Sequence, residues 1–316
     1  MHTITLNTIK DCGIICSDGE SVLILGKYLW IFRKDGSFVA HNKEVRRPSK
    51  AVFLPGNMAL VDGNKDRTYY YISLETGKTV WSSSQKGKRM MCAPKFALSP
   101  NGTTVFDKFY DQNNVFHFDM INPSEHIHET YTVKDTLRTS RAFFCDENGV
   151  LNVLQSHIMT PEDPKYTEER RRIYGILRLP VIGSGPDPSW VRQWTDKPNA
   201  IARGCNGRYT LYEGLQVFDH ETDRFVDLLE NDDMPKPPRE SAFEWHYDSE
   251  SGYLTVAYIG LGLNIVIDCN ERRRVAQYSR KYIDVGFMGC LVGNEFWTGT
   301  ETGVVRLPFP HFDPLP

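Results

Sequence analysis

Residues 95–109 read KFALSPNGTTVFDKF, a short apolar run, a tight turn at Asn101-Gly102 and a second apolar run. Asn and Gly tolerate the positive φ angles that a two-residue hairpin turn needs. The stretch therefore predicts two antiparallel strands, Lys95–Leu98 and Thr104–Phe109, joined by this turn.

The same arrangement occurs seven times in all along the 316 residues. The turns are Asp18-Gly19, Gly56-Asn57, Asn101-Gly102, Asn148-Gly149, Asn206-Gly207, Ser251-Gly252 and Gly293-Asn294. They are spaced by about 37 to 58 residues, close to the length of a four-stranded propeller blade. Apolar runs of four to eight residues surround them, whereas long amphipathic helical patterns are nearly absent.

The pattern predicts an all-β fold, a single seven-bladed β-propeller domain over residues 1–316. The predicted blades span Gly13–His41, Ala51–Ser82, Lys95–Thr132, Ala142–Trp194, Ala200–Leu228, Ala242–Tyr278 and Val285–Leu307. The seventh blade has only three predicted strands, and the segment Thr3–Ile9 precedes the first blade as an orphan strand. We expect Thr3–Ile9 to be the outer strand of blade seven, because this closes the ring and leaves no blade incomplete.

Composition narrows the class of protein. The formal net charge of -3 argues against a dedicated nucleic-acid binder, which usually carries a basic excess. The number of cysteines is odd, seven, and no CxxC pair occurs, which favours a reducing, cytoplasmic compartment. The longest apolar stretch, Tyr253–Cys269, is interrupted by glycines and is too short to span a bilayer. We therefore expect neither nucleic acid nor membrane as a partner.

Three segments carry a resemblance to known repeats. Leu74–Trp81, LETGKTVW, resembles the turn between the third and fourth strands of quinoprotein-type and WD40-like propeller repeats, and Asp219–Phe225 is a weaker copy. Phe96–Gly102 is similar to the inner-strand turn of WD40-like repeats. The Trp-Asp and Gly-His dipeptides of true WD40 repeats and the adjacent cysteines of quinoprotein alcohol dehydrogenases are missing, so we expect no bound quinone or other cofactor.

In such propellers the inner strands line a central channel, and the resemblance implies a ligand site at its mouth. Seven residues near the starts of the inner strands are predicted to face that mouth: Asp11, Ser49, Lys95, Arg141, Asn199, Glu244 and Asp284. Propeller hydrolases such as sugar lactonases hold a divalent cation with Glu, Asn and Asp at such positions, so Asp11, Asn199, Glu244 and Asp284 are the candidates for holding a cation such as calcium. Lys95 and Arg141 are candidates for binding an anion. The alternative is a polar channel mouth with internal salt bridges.

Two loops depart from the repeat, and propeller function is often carried by loops on a rigid scaffold. Residues 159–172 supply Asp163, Glu168 and Arg171 as candidate binding residues, and residues 230–240 supply Asp232 and Asp233. His126 and His128 share one face of a predicted outer strand and are expected to be exposed polar residues.

No sequence motif of a catalytic site, a P-loop or a dinucleotide fold occurs. The sequence therefore favours a non-enzymatic binding or scaffold propeller that engages another protein. The alternative is a metal-dependent propeller hydrolase or lactonase, in which the cation at the channel mouth lowers the pKa of a bound water or polarises a carbonyl.

Overall fold

The structure is a computed structural model that describes most of the first half of the chain and shorter segments of the second half. The described residues are 4–6, 9, 13–63, 68–85, 96–113, 115–133, 139–145, 149–158, 161–162, 172–180, 191–195, 202–203, 209–211, 216–219, 222, 224–233, 243–248, 251–258, 261–282, 289–300 and 303–315.

These residues form 28 strands. The first strand and blades one to three comprise β1 (Ile4–Leu6), β2 (Ile14–Ser17), β3 (Ser21–Leu25), β4 (Tyr28–Arg33), β5 (Phe38–Arg46), β6 (Ala51–Leu54), β7 (Met58–Gly63), β8 (Thr68–Ser73), β9 (Thr79–Ser84), β10 (Ala97–Leu98), β11 (Val105–Tyr110), β12 (Phe116–Asn122) and β13 (Ile127–Val133). Blades four and five comprise β14 (Thr139–Cys145), β15 (Val150–Ile158), β16 (Arg172–Pro180), β17 (Val191–Thr195), β18 (Ala202–Arg203), β19 (Tyr209–Leu211), β20 (Gln216–Asp219) and β21 (Arg224–Asp227). Blades six and seven comprise β22 (Phe243–Asp248), β23 (Tyr253–Tyr258), β24 (Leu263–Asp268), β25 (Arg273–Ser279), β26 (Gly289–Val292), β27 (Glu295–Gly299) and β28 (Val304–Pro308).

The described strands pair into seven four-stranded antiparallel sheets. Six sheets use four consecutive strands, from β2–β5 to β22–β25, and each is one blade. The remaining sheet has the order β1-β28-β27-β26, so the first strand of the chain pairs with the last. In that pairing Ile4 lies opposite Arg306 and Leu6 lies opposite Val304. The N-terminal strand is thus the outer strand of blade seven.

The hydrophobic core lies between neighbouring blades rather than at one centre. One cluster, for example, combines Ile15 and Ile24 of blade one with Trp297 and Val304 of blade seven, and Ile9 is buried in it. Similar clusters join blades one and two, two and three, three and four, five and six, and six and seven. Strand β14 of blade four lies beside β18 of blade five. The prediction of an all-β propeller is confirmed.

The predicted hairpin turns have the backbone geometry that their residues suggested. Positive φ angles occur at Gly19 (93°), Gly56 (78°), Asn57 (59°), Gly102 (72°), Gly149 (75°), Gly252 (73°) and Gly293 (57°). The turn at Asn206-Gly207 lies outside the described residues. Because glycine reaches these angles without steric cost, it marks the hairpins reliably in this chain.

The segment that resembles a quinoprotein-type repeat forms the turn between β8 and β9, the third and fourth strands of blade two. Gly77 has a φ of +69°, and a Cβ atom placed on it would lie 2.0 Å from Cβ of Ala40 in blade one. The side chain of Asn42 donates a hydrogen bond to the carbonyl of Gly77 (3.0 Å). The glycine therefore permits both the turn and the close contact between blades one and two.

Within the described chain, no helix is long and apolar enough to cross a membrane.

Candidate functional site

The four residues predicted to hold a cation are mostly outside the described chain. Asp11, Asn199 and Asp284 lie outside the described residues. Glu244 lies in β22, where its backbone pairs with Ala257 of β23, and its side chain is not described. Among the described side chains, no three His, Cys, Asp or Glu residues come together as a possible metal site. The cation site stays a prediction.

Most of the predicted binding residues also lie outside the described chain or are described by their backbone alone. Four lie outside the described residues: Lys95, Asp163, Glu168 and Arg171. Arg141 lies in β14, of which only the backbone is described at this position. Asp232 and Asp233 are described with their side chains.

Asp232 and Asp233 differ in their surroundings. Asp232 is largely buried, lies 3.1 Å from the guanidinium of Arg274 and accepts a hydrogen bond from the Arg274 backbone N–H (2.7 Å). Next to it, Glu230 pairs with Arg272 at 2.6 Å. These contacts link the end of blade five to the hairpin between β24 and β25 of blade six. Asp233 is fully exposed, with the guanidinium of Arg274 at 3.4 Å.

At the start of the inner strand of blade two, the polar contacts are internal. The carboxylate of Asp62 accepts hydrogen bonds from the N–H of Ser49 (2.9 Å), the hydroxyl of Ser49 (2.8 Å) and the N–H of Lys50 (2.9 Å). Asp62 therefore links the residues just before β6 to β7. The hydroxyl of Ser49 is used in a hydrogen bond within blade two.

A buried polar chain joins blades two and three. The ammonium of Lys50 forms an ion pair with the carboxylate of Asp107, and both side chains are almost fully buried. The hydroxyl of Tyr69 lies 2.8 Å from an oxygen of Asp107 and 2.8 Å from an oxygen of Asp119. A residue of blade two thus places its positive charge on a carboxylate of blade three, which couples the two sheets electrostatically.

His128 continues this chain toward the outer strands. Its imidazole Nδ1 lies 2.8 Å from the hydroxyl of Ser83, and its Nε2 lies 3.4 Å from the carboxylate of Asp119. The prediction that His128 is exposed is wrong, since its side chain is 2% exposed. The physical reason is that this face of β13 lies against blade two, where the ring of Tyr69 meets the imidazole edge to face at 5.0 Å. His126 is exposed as predicted.

The hydroxyl of Ser83, the imidazole of His128 and the carboxylate of Asp119 lie in a row, as the three groups of a hydrolytic triad do. Their geometry, however, differs from that of such a triad. In such a triad the carboxylate accepts a short hydrogen bond from the imidazole. The buried Nε2 of His128 makes no well-directed hydrogen bond to any described residue. The hydroxyl of Thr130, at 2.7 Å, is a better partner for Asp119. The arrangement acts as a polar contact between blades.

Lys108 lies beside this chain on the same strand as Asp107. Its side chain is buried, and burial lowers its pKa to about 7, helped by the nearby positive charge of Lys50 and opposed by Asp107. A buried ammonium is costly, so the neutral amine is favoured as the pH rises above 7.

Lys108 is expected to make stability pH-dependent. Between about pH 7 and pH 10 the unfolded chain holds a proton on Lys108 that the folded chain has lost. The free energy of unfolding therefore rises with pH in this window, by about 1.4 kcal/mol per pH unit at most. Below pH 7 both states are protonated and this slope vanishes. Urea unfolding of wild type and Lys108→Met across pH 6–10 should show a steeper rise of stability with pH in wild type than in the variant. Equal slopes would contradict the assignment.

An aromatic cluster lies on the outer strands of blade one and is partly exposed. We define the blade-one aromatic surface as Tyr28, Trp30, Phe38 and His41, carried by β4 and β5. The rings of Trp30 and His41 stack with centroids 3.7 Å apart, and the Tyr28 ring meets His41 edge-on at 5.4 Å. Phe38 lies 6.1 Å from Trp30. Strand pairing holds Trp30 directly opposite His41.

This surface extends outward from the core. Buried Phe32 contacts Trp297 of blade seven on one side (6.0 Å) and Phe38 on the other (5.6 Å). Phe38 itself is 57% exposed. Tyr28 and Trp30 are half-buried. The aromatic rings are therefore held rigidly by paired strands while part of their area faces solvent.

His41 contributes a neutral ring to this surface. Burial lowers its pKa, and the charge of Lys43 lowers it further. Its Nε2 is buried and has no hydrogen-bond partner among the described residues. With a lowered pKa the imidazole is uncharged near neutral pH, so His41 stacks on Trp30 as an aromatic ring rather than as a cation.

Two lysines lie at the border of the surface. Lys27 is exposed and places its ammonium 5.7 Å from the centre of the Tyr28 ring. Lys43 is exposed next to His41. On the blade-seven side the guanidinium of Arg306 lies 4.7 Å from the ring of Trp297 and is paired with Glu295. A ligand of this surface would meet aromatic rings at its centre and ammonium groups at its edge.

Comparison with known proteins identifies the fold and no family. The sequence matches no family model and no curated protein. The solved structure titled dihydro-heme d1 dehydrogenase NirN in complex with DHE is similar over 99% of this chain and 67% of that chain, with 13% identity and a TM-score of 0.55. BamB from Moraxella catarrhalis is similar over 97% of this chain and 98% of that chain, with 10% identity and a TM-score of 0.52. These likenesses support the predicted β-propeller at the level of the fold alone.

Proposed function

We propose that this propeller is a non-enzymatic binding protein that engages another protein through the blade-one aromatic surface. The observation that supports the proposal is the exposed Phe38, held in a cluster with Trp30, His41 and Tyr28 on two paired strands. Protein interfaces are enriched in Trp, Tyr and Phe, and a few such residues supply most of the binding energy.

The cluster has the physical properties of a binding site. Its rings are fixed by strand pairing and by contact with the core, so a partner does not have to order them on binding. The ammonium groups of Lys27 and Lys43 at its edge favour a partner that carries carboxylates around an apolar centre. The expected partner is therefore a protein segment with an apolar side chain flanked by Asp or Glu.

Affinity capture from native lysate tests this function with two variants. Phe38→Ser removes an exposed ring, and Val80→Ser removes a side chain of equal exposure (58%) from the outer strand of blade two. We expect wild type and Val80→Ser to retain one stoichiometric partner. Phe38→Ser should bind that partner at least about 30-fold more weakly, as truncation of a central interface residue does.

Thermal unfolding of the three proteins is the control for folding. Because Phe38 and Val80 are both surface residues, neither variant should shift the melting temperature by more than about 2 °C. Recovery of no stoichiometric partner by wild type, together with turnover of a small molecule, would contradict a binding function. Undiminished capture by Phe38→Ser would contradict the use of this surface.

A further inference from the structure

The end of the chain crosses from blade seven to the outer strand of blade six. After β28, residues 311–313 lie beside β25, and Phe312 forms a parallel bridge with Gln277. The N–H of Gln277 donates to the carbonyl of His311 (2.7 Å), and the N–H of Asp313 donates to the carbonyl of Gln277 (3.0 Å). The tail therefore adds a short extra strand to a propeller edge.

The carboxylate of Asp313 fixes the register of this strand. One oxygen accepts a hydrogen bond from the backbone N–H of Ser279 (2.9 Å), and the other lies 2.8 Å from Nε2 of His311. The side-chain amide of Gln277 donates to the carbonyl of Asp313 (2.5 Å). Hydrogen bonds from an N–H to a carboxylate are stronger than bonds between neutral groups, so Asp313 is the anchor of the tail.

The tail leaves much of its apolar surface uncovered. Phe312 is 54% exposed although it lies at the bridge, and Leu315 is also exposed. Leu261, just before β24, and Tyr282, after β25, are also exposed, and the N–H of Arg280 bonds to the carbonyl of Gly262 between them. These four make up most of the six large apolar side chains that are exposed in the described part of the chain.

We infer that the outer edge of β25 is a binding site for extended peptides, and that the C-terminal tail occupies it within the same chain. A ligand pairs its backbone with Gln277 and places an Asp carboxylate on the N–H of Ser279, as the tail does. The recognised pattern is an apolar residue followed directly by Asp in an extended segment. Addition of a strand to an exposed sheet edge is an established mode of peptide recognition, with affinity from main-chain hydrogen bonds.

Displacement of the tail requires little disruption of the propeller. The backbone contact consists of two hydrogen bonds, and blade six keeps its four strands without it. A free peptide competes against a tail whose tether raises its effective concentration at the edge. Weakening the tail should therefore open the site to a peptide added in solution. This site is separate from the blade-one aromatic surface, and either proposal stands without the other.

The full chain carrying Asp313→Ala tests the inference. The probe is a fluorescein-labelled peptide of residues 307–316, LPFPHFDPLP, and the matched probe carries Ala in place of its Asp. By fluorescence anisotropy we expect the Asp313→Ala chain to bind the Asp peptide at least about tenfold more tightly than wild type does, because its own tail competes less. The Ala peptide should not bind either protein. Glu75→Ala, which removes an exposed carboxylate of blade two, should bind like wild type.

Three outcomes would overturn the inference. If the Asp313→Ala chain binds neither peptide, the edge is no peptide site. If it binds both peptides equally, the carboxylate is not the recognised group. If light scattering shows that the Asp313→Ala chain forms a dimer and the peptide fails to dissociate it, a second copy of the chain is the occupant. The expected result is that one protein binds the Asp peptide and does not bind the Ala peptide. An unfolded protein would not distinguish the two peptides, so loss of folding cannot produce this result.

Discussion

Lys50→Met is expected to lower the free energy of unfolding by about 3 to 5 kcal/mol, which is the usual cost of removing one partner from a buried ion pair. The substitution leaves the carboxylate of Asp107 buried between blades two and three without the ammonium that faces it. The hydroxyl of Tyr69 remains in place but is shared with Asp119. Urea unfolding at pH 7 is the measurement.

The double variant Lys50→Met/Asp107→Asn supplies the control for this prediction. With both charges removed, no uncompensated carboxylate remains, and we expect at least half of the lost free energy to be recovered. A Lys50→Met protein as stable as wild type would show that the ion pair does not hold the two blades together. A double variant less stable than Lys50→Met would show that packing, rather than charge, causes the loss.

Deletion of residues 1–9 is the second change with a large expected effect. It removes the outer strand of blade seven, exposes the edge of β28 and takes buried Ile9 from the cluster between blades one and seven. Loss of a fully buried Ile alone costs about 2 to 5 kcal/mol. We expect the melting temperature to fall by about 10 °C or more, with increased aggregation from the unpaired edge.

Removal of residues 314–316 from the other terminus is the matched truncation. It leaves Asp313 and the bridge to β25 intact, and the side chain of Leu315 is exposed. The melting temperature of this protein should stay within about 2 °C of wild type. An N-terminal deletion that is as stable as the full chain would contradict closure of the ring by β1.

Most of the fold could be predicted from local signals in the sequence. Hairpins were predictable because Gly19, Gly102 and Gly252 mark turns that need positive φ, and the structure has positive φ at each of them. Strand runs were predictable from β-branched and aromatic residues between these turns. The segment Leu74–Trp81 indicated a turn between two outer strands, and the structure shows this turn with Gly77 against blade one.

Contacts between blades were not predictable in the same way. Lys50 and Asp107 are 57 residues apart, and nothing local to either residue indicates the other. His128 looked like an exposed residue on an outer strand because its sequence neighbours are polar. Its burial follows from the position of blade two, which a pattern of period two along one strand does not reveal.

The sequence contains a signal for the blade-one aromatic surface, but the signal could be interpreted only once the strand pairing was known. Tyr28, Trp30 and Phe32 alternate along one strand, which indicates an aromatic face. The ring of His41 joins that face because β5 pairs with β4 in a bulged register, and a bulge is not visible in the hydrophobic pattern. The predicted channel and loop residues lie mainly outside the described chain, so for them the sequence remains the sole guide.

Amide hydrogen exchange of the propeller with and without its captured protein partner tests the binding account most directly. If the blade-one aromatic surface is the interface, amides in β4 and β5 should exchange at least about tenfold more slowly in the complex, and amides in β8 and β9 should be unchanged. Slower exchange confined to residues 159–172, to residues 230–240 or to the starts of the inner strands, with β4 and β5 unaffected, would contradict it.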